Sequence, residues 1–132
     1  MPHFILEYSA NLEDELDLPV LFEKLHTTAI STGVFPPGGI RTRAVRCDQY
    51  RIANGDPELG FVHMTTKMGH GRPLEVRQEA GKKIFATLTE HLQPVFDNHY
   101  MGISFEIVEL HPDLNFKINN IHEKLKKESS AA

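Results

Sequence analysis

The 132-residue sequence predicts an α+β fold of two tandem βαβ units, giving a mixed four-stranded sheet with two helices on one face. Three observations carry that reading. Strand-like alternation opens the chain at Phe4, Leu6 and Tyr8, a second such run opens at Phe61, and each is followed by an amphipathic helical stretch and a further alternating run. Laying Phe61 over Phe4 brings the helical stretches and the closing runs into rough coincidence. The residues themselves differ too much to count as a sequence repeat, so the duplication is one of topology.

Taken in order, Pro2 to Tyr8 reads as a strand, with His3, Ile5 and Glu7 on the face opposite Phe4, Leu6 and Tyr8. Asp17 can cap a helix whose Pro19 falls in the first turn, where a missing amide hydrogen costs little. Leu18, Leu21, Phe22, Leu25 and Ala29 follow at helical spacing, and Gly33 ends it. Phe35-Pro-Pro-Gly-Gly39 is a turn, after which residues 40 to 52 alternate and place Arg41 and Arg43 on one face. Asn54-Gly-Asp-Pro57 is another turn. Phe61 to Met68 is a strand, Gly69 to Arg72 a short loop, and Pro73 a first-turn proline. The helix that follows runs from Leu74 to about Gln93, with Ala80, Ile84, Phe85, Leu88 and Leu92 inward and Pro94 just past its end. Ile103, Phe105 and Ile107 form the last strand, stopped at His111-Pro112. The whole chain, 1–132, is one domain. Ile118, Ile121 and Leu125 mark a docking helix or interface arm over about 112–127, and 128–132 reads as a frayed tail. Two helices on one face leave the other face uncovered and partly apolar, so a homo-oligomer burying those faces is expected.

Composition narrows the function. Hydrophobic residues at 40% and charged residues at 24% are ordinary globular values. The single cysteine, Cys47, has no partner for an internal disulfide. The start Met-Pro-His-Phe lacks a basic region and apolar run, and no apolar stretch approaches the ~20 residues that span a bilayer, so a cytoplasmic protein with no membrane role is expected. Fourteen Lys and Arg against eighteen Asp and Glu, net charge -4, argue against nucleic acid as a partner. The charge is unevenly placed. Residues 1–38 carry Glu7, Glu13, Asp14, Glu15, Asp17 and Glu23 against Lys24, whereas Arg41, Arg43, Arg46 and Arg51 then cluster beside Asp48. Arginine forks suit carboxylates, so the cluster marks either an anion site or a solvated strand face paired with nearby acids.

Pro2 is the residue with most chemical potential. A small second residue permits removal of Met1, and the secondary amine then exposed is a base unlike any side chain. An α-amino group starts near a pKa of about 8, and an apolar pocket with cations close by lowers it toward neutrality. A neutral amine can take a proton from an enol and return it to carbon, as a tautomerase requires. The alternative is a terminus that is merely processed. The eight histidines form no His-Glu-x-x-His pair or Cys/His array, so no metal is expected. Cys47 lies in the arginine-bearing strand, either as packing or as half of a nucleophile pair. Gly69-His-Gly-Arg72 lacks the third glycine of a dinucleotide loop, and Pro73 and Leu74 interrupt the spacing, so that motif is weak. Its better use is a tight turn that aims Arg72 and the helix-start amides at an anion, the alternative being a solvent-facing Arg72.

Together these residues resemble the 5-carboxymethyl-2-hydroxymuconate isomerase family of the tautomerase superfamily, nearly end to end. The matching segments are Pro2-His-Phe-Ile5, Phe35-Pro36, Gly39-Ile-Arg41 with Arg43, Phe61-Val-His-Met64, Gly69-x-Gly-Arg72, Leu74-Glu75, Arg77-Gln78 and Ser104-Phe-Glu-Ile107. Glu109-Leu-His-Pro112, Leu114-Asn-Phe-Lys117 and Asn119-Asn120 complete them. The resemblance implies a βαβ-repeat fold, a homotrimer, no cofactor and an isomerase that moves a proton between oxygen and carbon in homoprotocatechuate degradation. It makes Pro2 the general base and acid, and Arg41 and Arg72 the residues that bind a small anionic substrate and stabilise enolate charge. Two other readings are a non-catalytic binding or assembly protein on the same fold, and a different proline-dependent reaction on an unsaturated oxo acid.

Overall fold

The computed structural model describes residues 1–131, with no side-chain description for residue 131. Four strands, β1 (His3–Ser9), β2 (Arg41–Cys47), β3 (Gly60–Met68) and β4 (Met101–Glu109), form one sheet in the order β2-β1-β3-β4. β1 pairs with β2 in parallel, β3 with β4 in parallel, and β1 with β3 antiparallel, which is the arrangement of two βαβ units fused through their first strands. The crossover helices α1 (Leu18–Ser31) and α2 (Leu74–Asn98) pack on each other and on one sheet face. α3 (Ile121–Ala131) touches the 3-10 turn at Pro37–Gly39.

Alternation in β1 and β3 builds the core. Phe4, Leu6 and Tyr8 with Val62, Met64 and Met68 face the helices, where Leu21, Leu25 and Ala29 of α1 and Ala80, Ile84, Leu88, Leu92 and Val95 of α2 cover them. The opposite face carries apolar groups, as expected, though polar and charged ones outnumber them. Register puts His3, Glu7, Arg43, His63, Thr65, Lys67, Ser104 and Glu106 there, with Ile5, Val45, Phe61 and Val108 between them. His63 bridges Ser104 Oγ at 2.6 Å and Glu106 Oε1 at 3.2 Å across β3 and β4. The uncovered face is therefore largely polar, because the alternation that buries Val62, Met64 and Met68 sends the intervening side chains outward.

Other differences are local. An unexpected 3-10 helix spans Ala10–Glu15 and buries Leu12. Asp17 precedes α1 in a left-handed conformation (φ 46°) and makes no side-chain cap, its carbonyl accepting from Leu21 N instead. β2 stops at Cys47, well short of residue 52, where Arg46 turns to Asp48 at 2.8 Å. Pro73 precedes α2 rather than sitting in its first turn. α2 runs through Pro94 to Asn98: the lost backbone bond is outweighed by burial of Leu92 and Val95 on either side, and Asn98 Nδ2 donates to the Pro94 carbonyl at 2.8 Å. Phe85 is 38% exposed and stacks on Phe105 at the sheet edge, with ring centroids 6.5 Å apart. Ile118 lies outside α3 and is almost wholly exposed, and α3 continues through 128–131, where a frayed tail was expected. Residue 132 of that tail lies outside the described residues. Among the described residues no helix is long and apolar enough to cross a membrane.

Leu6 sits at the centre of the sheet with no exposed surface. Leu6→Ala should cost about 2–5 kcal/mol, from lost transfer energy and the cavity left behind, read as a lower urea midpoint at unchanged slope.

Candidate active site

Parallel pairing of β1 with β2 places Arg41 beside His3, and Arg41 N donates to the Pro2 carbonyl at 3.1 Å. Pro2 is thereby held, buried, at the start of the inner strand β1. Gly39 closes over it: a Cβ at that position would lie 3.1 Å from Pro2 Cδ, so a side chain would push the turn off the terminus. Gly38 makes room in the same way for His122, whose Nδ1 would be 2.5 Å from an added Cβ. Asn119 Nδ2 donates to the Gly38 carbonyl at 3.2 Å. Met1, Pro2, Pro36, Gly39, Lys117, Asn119 and His122 enclose a cavity of about 290 Å³. A larger one, about 680 Å³, lies at the far end of the sheet between Gly60, Phe96 and Tyr100, and no Lys or Arg lines it.

The small cavity is electropositive. Burial holds the terminal amine below its ordinary value of 8.0, and the neighbouring Lys117, Arg41 and Arg72 push it the same way. His3 is likewise held below 6.5, by burial and then by Arg43 and Arg41. Cations from three separate segments, β2, the β3–α2 loop and the stretch before α3, thus bear on one amine.

Arg72 owes its position to a brace. Glu109, at the end of β4, accepts from Gly71 N at 3.2 Å and pairs with Arg77 Nη1 at 3.0 Å. Arg77 Nε also donates to the Arg72 carbonyl at 3.1 Å, and His70 Nδ1 stands 3.7 Å from Glu109. Gly71 takes a positive φ of 112°, a conformation that permits this tight loop. With Arg77 committed to Glu109, Arg72 pairs with no carboxylate among the described residues.

A sequence model of 5-carboxymethyl-2-hydroxymuconate isomerase matches residues 2–125. A 5-carboxymethyl-2-hydroxymuconate Delta-isomerase of Escherichia coli is 47% identical over 126 residues, which is 96% of this chain and 100% of that one. The chain belongs to the 5-carboxymethyl-2-hydroxymuconate isomerase family. A crystal structure of a family member from Deinococcus radiodurans R1 is 39% identical, with a TM-score of 0.88 over 94% of this chain and 93% of that one. Another, of a delta-isomerase, is 28% identical, with a TM-score of 0.87 over 95% and 93%. More distant is a fused 4-OT symmetric trimer, 11% identical with a TM-score of 0.62 over 89% and 92%, which shares the fold.

In this structure Arg41 adjoins Pro2 and Arg72 is near enough to bear on the terminal amine, whereas the other arginines of the cluster turn elsewhere. Arg43 shares the face of Arg41 but turns to His3 Nδ1 at 3.1 Å. Arg46 pairs with Asp48 and Glu13, and Arg51 donates to the Asn54 carbonyl. Cys47 is free, at the far end of β2 from Pro2. Sequence reasoning missed two things: Lys117 on the cavity wall, and the Glu109–Arg77 brace. Both lie in segments that carry the family resemblance, but no local spacing connects Glu109 to residues 70–77.

Glu109→Gln keeps the size of the brace and removes its charge. Amide exchange at Gly71 and Arg72 should accelerate about tenfold and stability fall by about 1–3 kcal/mol, checked by hydrogen–deuterium exchange and urea unfolding, while exchange in β1 is unchanged.

Proposed function

We propose that the chain is a cofactor-free isomerase of 5-carboxymethyl-2-hydroxymuconate whose base is the Pro2 amine, freed by removal of Met1. The observation that carries this reading is the convergence of Arg41 and Arg72 on the amino terminus, beside the buried Pro2. With Met1 attached the Pro2 nitrogen is an amide and has no basicity. After its removal the secondary amine stands one residue further into the same cationic surroundings, which favour its neutral form, able to accept a proton.

The reaction is a balanced proton relocation. Pro2 takes the 2-hydroxyl proton, the electron pair moves through the diene to make the 2-oxo group and a C3–C4 double bond, and the prolinium returns a proton to carbon-5. Negative charge on the dienolate is met by Arg41 and Arg72, which also hold carboxylates. Held before substrate arrives, these charges need no reorganisation as the enolate forms. They also offset the net charge of -4, which by itself repels a polyanion. The 47% identity to a Delta-isomerase supports this reading over a non-catalytic binding protein. A cytoplasmic location fits a chain that needs methionine removal and has one unpaired cysteine.

The working form is a homotrimer in this reading. Leu114, Phe116 and Ile118 stand 71%, 86% and 98% exposed on the stretch before α3, and an apolar ridge of that kind is stabilised by a second copy. Light scattering should return three times the 15.0 kDa protomer mass, and Phe116→Asp with Ile118→Asp should lower it.

Pro2→Ala should reduce kcat about 10²–10⁴-fold, and a chain verified by mass spectrometry to retain Met1 should be inactive, both followed by loss of the muconate chromophore. Because the amine must be neutral, kcat/KM should rise with pH along a limb centred below the ordinary pKa of a proline amine. Arg72→Ala removes a cation that lowers the pKa, so its limb should move to higher pH. Full activity in both amino-terminal variants would exclude the amine mechanism.

A further inference from the structure

Residues 111–120 connect β4 to α3 without helix or strand. Asn119 docks this stretch: its Nδ2 donates to the Gly38 carbonyl at 3.2 Å, and its Oδ1 accepts from Ile121 N at 2.8 Å and so starts α3. His122, one turn further, fills the space left by Gly38. Lys117, two residues before Asn119, is thereby held on the wall of the 290 Å³ cavity, facing the amino terminus, while Leu114, Phe116 and Ile118 project to solvent.

Of the other cations near this end of the sheet, Lys67 stands beside His3 on the open sheet face and does not line the cavity, and two have protein partners. Arg43 is against His3 at 3.1 Å, and Arg77 is paired with Glu109 at 3.0 Å. Arg41, Arg72 and Lys117 pair with no carboxylate among the described residues, although Arg41 Nη1 also donates to the Gly39 carbonyl at 2.7 Å. All three bear on the terminal amine, and Lys117 alone of them lines the cavity beside it; like charges so placed repel each other, and a ligand bringing matching anions relieves the repulsion. The substrate proposed above carries three carboxylates, two on the ends of its conjugated six-carbon chain and one on a freely rotating carboxymethyl branch.

We propose that Lys117 is the third substrate-binding cation, engaging the carboxymethyl carboxylate and so selecting a tricarboxylate over a dicarboxylate muconate. The inference rests on the substrate reading above. The chemistry of the side chains matches this division: planar guanidinium forks suit the two carboxylates conjugated with the diene, and a compact ammonium on a flexible stem follows a group that rotates on a methylene.

The test compares wild type, Lys117→Ala and Lys117→Arg, each with Met1 removal verified by mass, on 5-carboxymethyl-2-hydroxymuconate and on 2-hydroxymuconate, which lacks the branch. Compared at a pH above the amine's limb in each enzyme, Lys117→Ala should raise KM for the tricarboxylate about 10- to 100-fold, with kcat and the KM for 2-hydroxymuconate within about threefold of wild type. Lys117→Arg should restore most of the loss. An unchanged KM for the tricarboxylate, or an equal rise for both substrates, overturns the assignment. Calorimetric binding of propane-1,2,3-tricarboxylate and glutarate keeps the two readings separate. If processed wild type turns over neither muconate, the substrate reading fails. Selective weakening of the tricarboxylate by Lys117→Ala then still supports Lys117, and equal weakening of both probes overturns it.

Discussion

Pairing of β1 between β2 and β3 is the constraint on which the site depends. Because β2 runs parallel to β1 in the register that sets Arg41 beside His3, the Arg41 amide reaches the Pro2 carbonyl, and its side chain arrives at the end of the sheet where the chain begins. Because β3 runs antiparallel to β1, its last residues, Lys67 and Met68, lie beside the same end, and the loop that leaves β3 carries Arg72 there as well. A shift of one residue in either pairing would turn the core side of a strand outward and move these cations away from Pro2. Burial of Phe4, Leu6, Val62 and Met64 therefore specifies the site geometry as much as it stabilises the fold.

Electrostatics at this end of the sheet run against the protein as a whole. Acidic residues outnumber basic ones, yet the terminal amine has Arg41, Arg72 and Lys117 about it and lies below its ordinary pKa. The acidic groups close by are already engaged. Glu109 spends its charge on Arg77 and the Gly71 amide, which both orients the loop and leaves Arg72 without a counter-ion. Like-charged groups held together in this way cost stability, and a polyanionic ligand repays it on binding. The arrangement fits a site organised for anions before they arrive, as charge stabilisation in catalysis requires.

The close approach of backbone at Gly38 and Gly39 joins this site to the carboxyl-terminal arm. Gly39 admits the Pro2 ring and Gly38 admits His122, so one short turn carries the terminus on one side and α3 on the other. The arm has a double character. Asn119 and Lys117 belong to the cavity, while Leu114, Phe116 and Ile118 on the same stretch are exposed apolar groups suited to a neighbouring protomer. Assembly and ligand binding would then share one segment, which gives so short a chain a means of completing its pocket.

Much of this was legible in the residues. Period-two runs at Phe4 and Phe61 and the helical spacings of α1 and α2 follow from local geometry, as does the potential of Pro2, so the paired βαβ units and the leading base candidate needed no coordinates. The fate of the arginine cluster did not follow. Arg41, Arg43 and Arg46 read alike along one strand, and only register and neighbours send one to the terminus, one to His3 and one to Asp48. The length of α2 was misjudged because a local rule about Pro94 yields to burial of Leu92 and Val95, a tertiary effect. The Glu109–Arg77 brace and the place of Lys117 also belonged to tertiary structure, since each joins residues far apart in sequence. Local order of residues dictates which segments become strands and helices. Which charged groups meet, and which are left without partners, is decided when those segments pack.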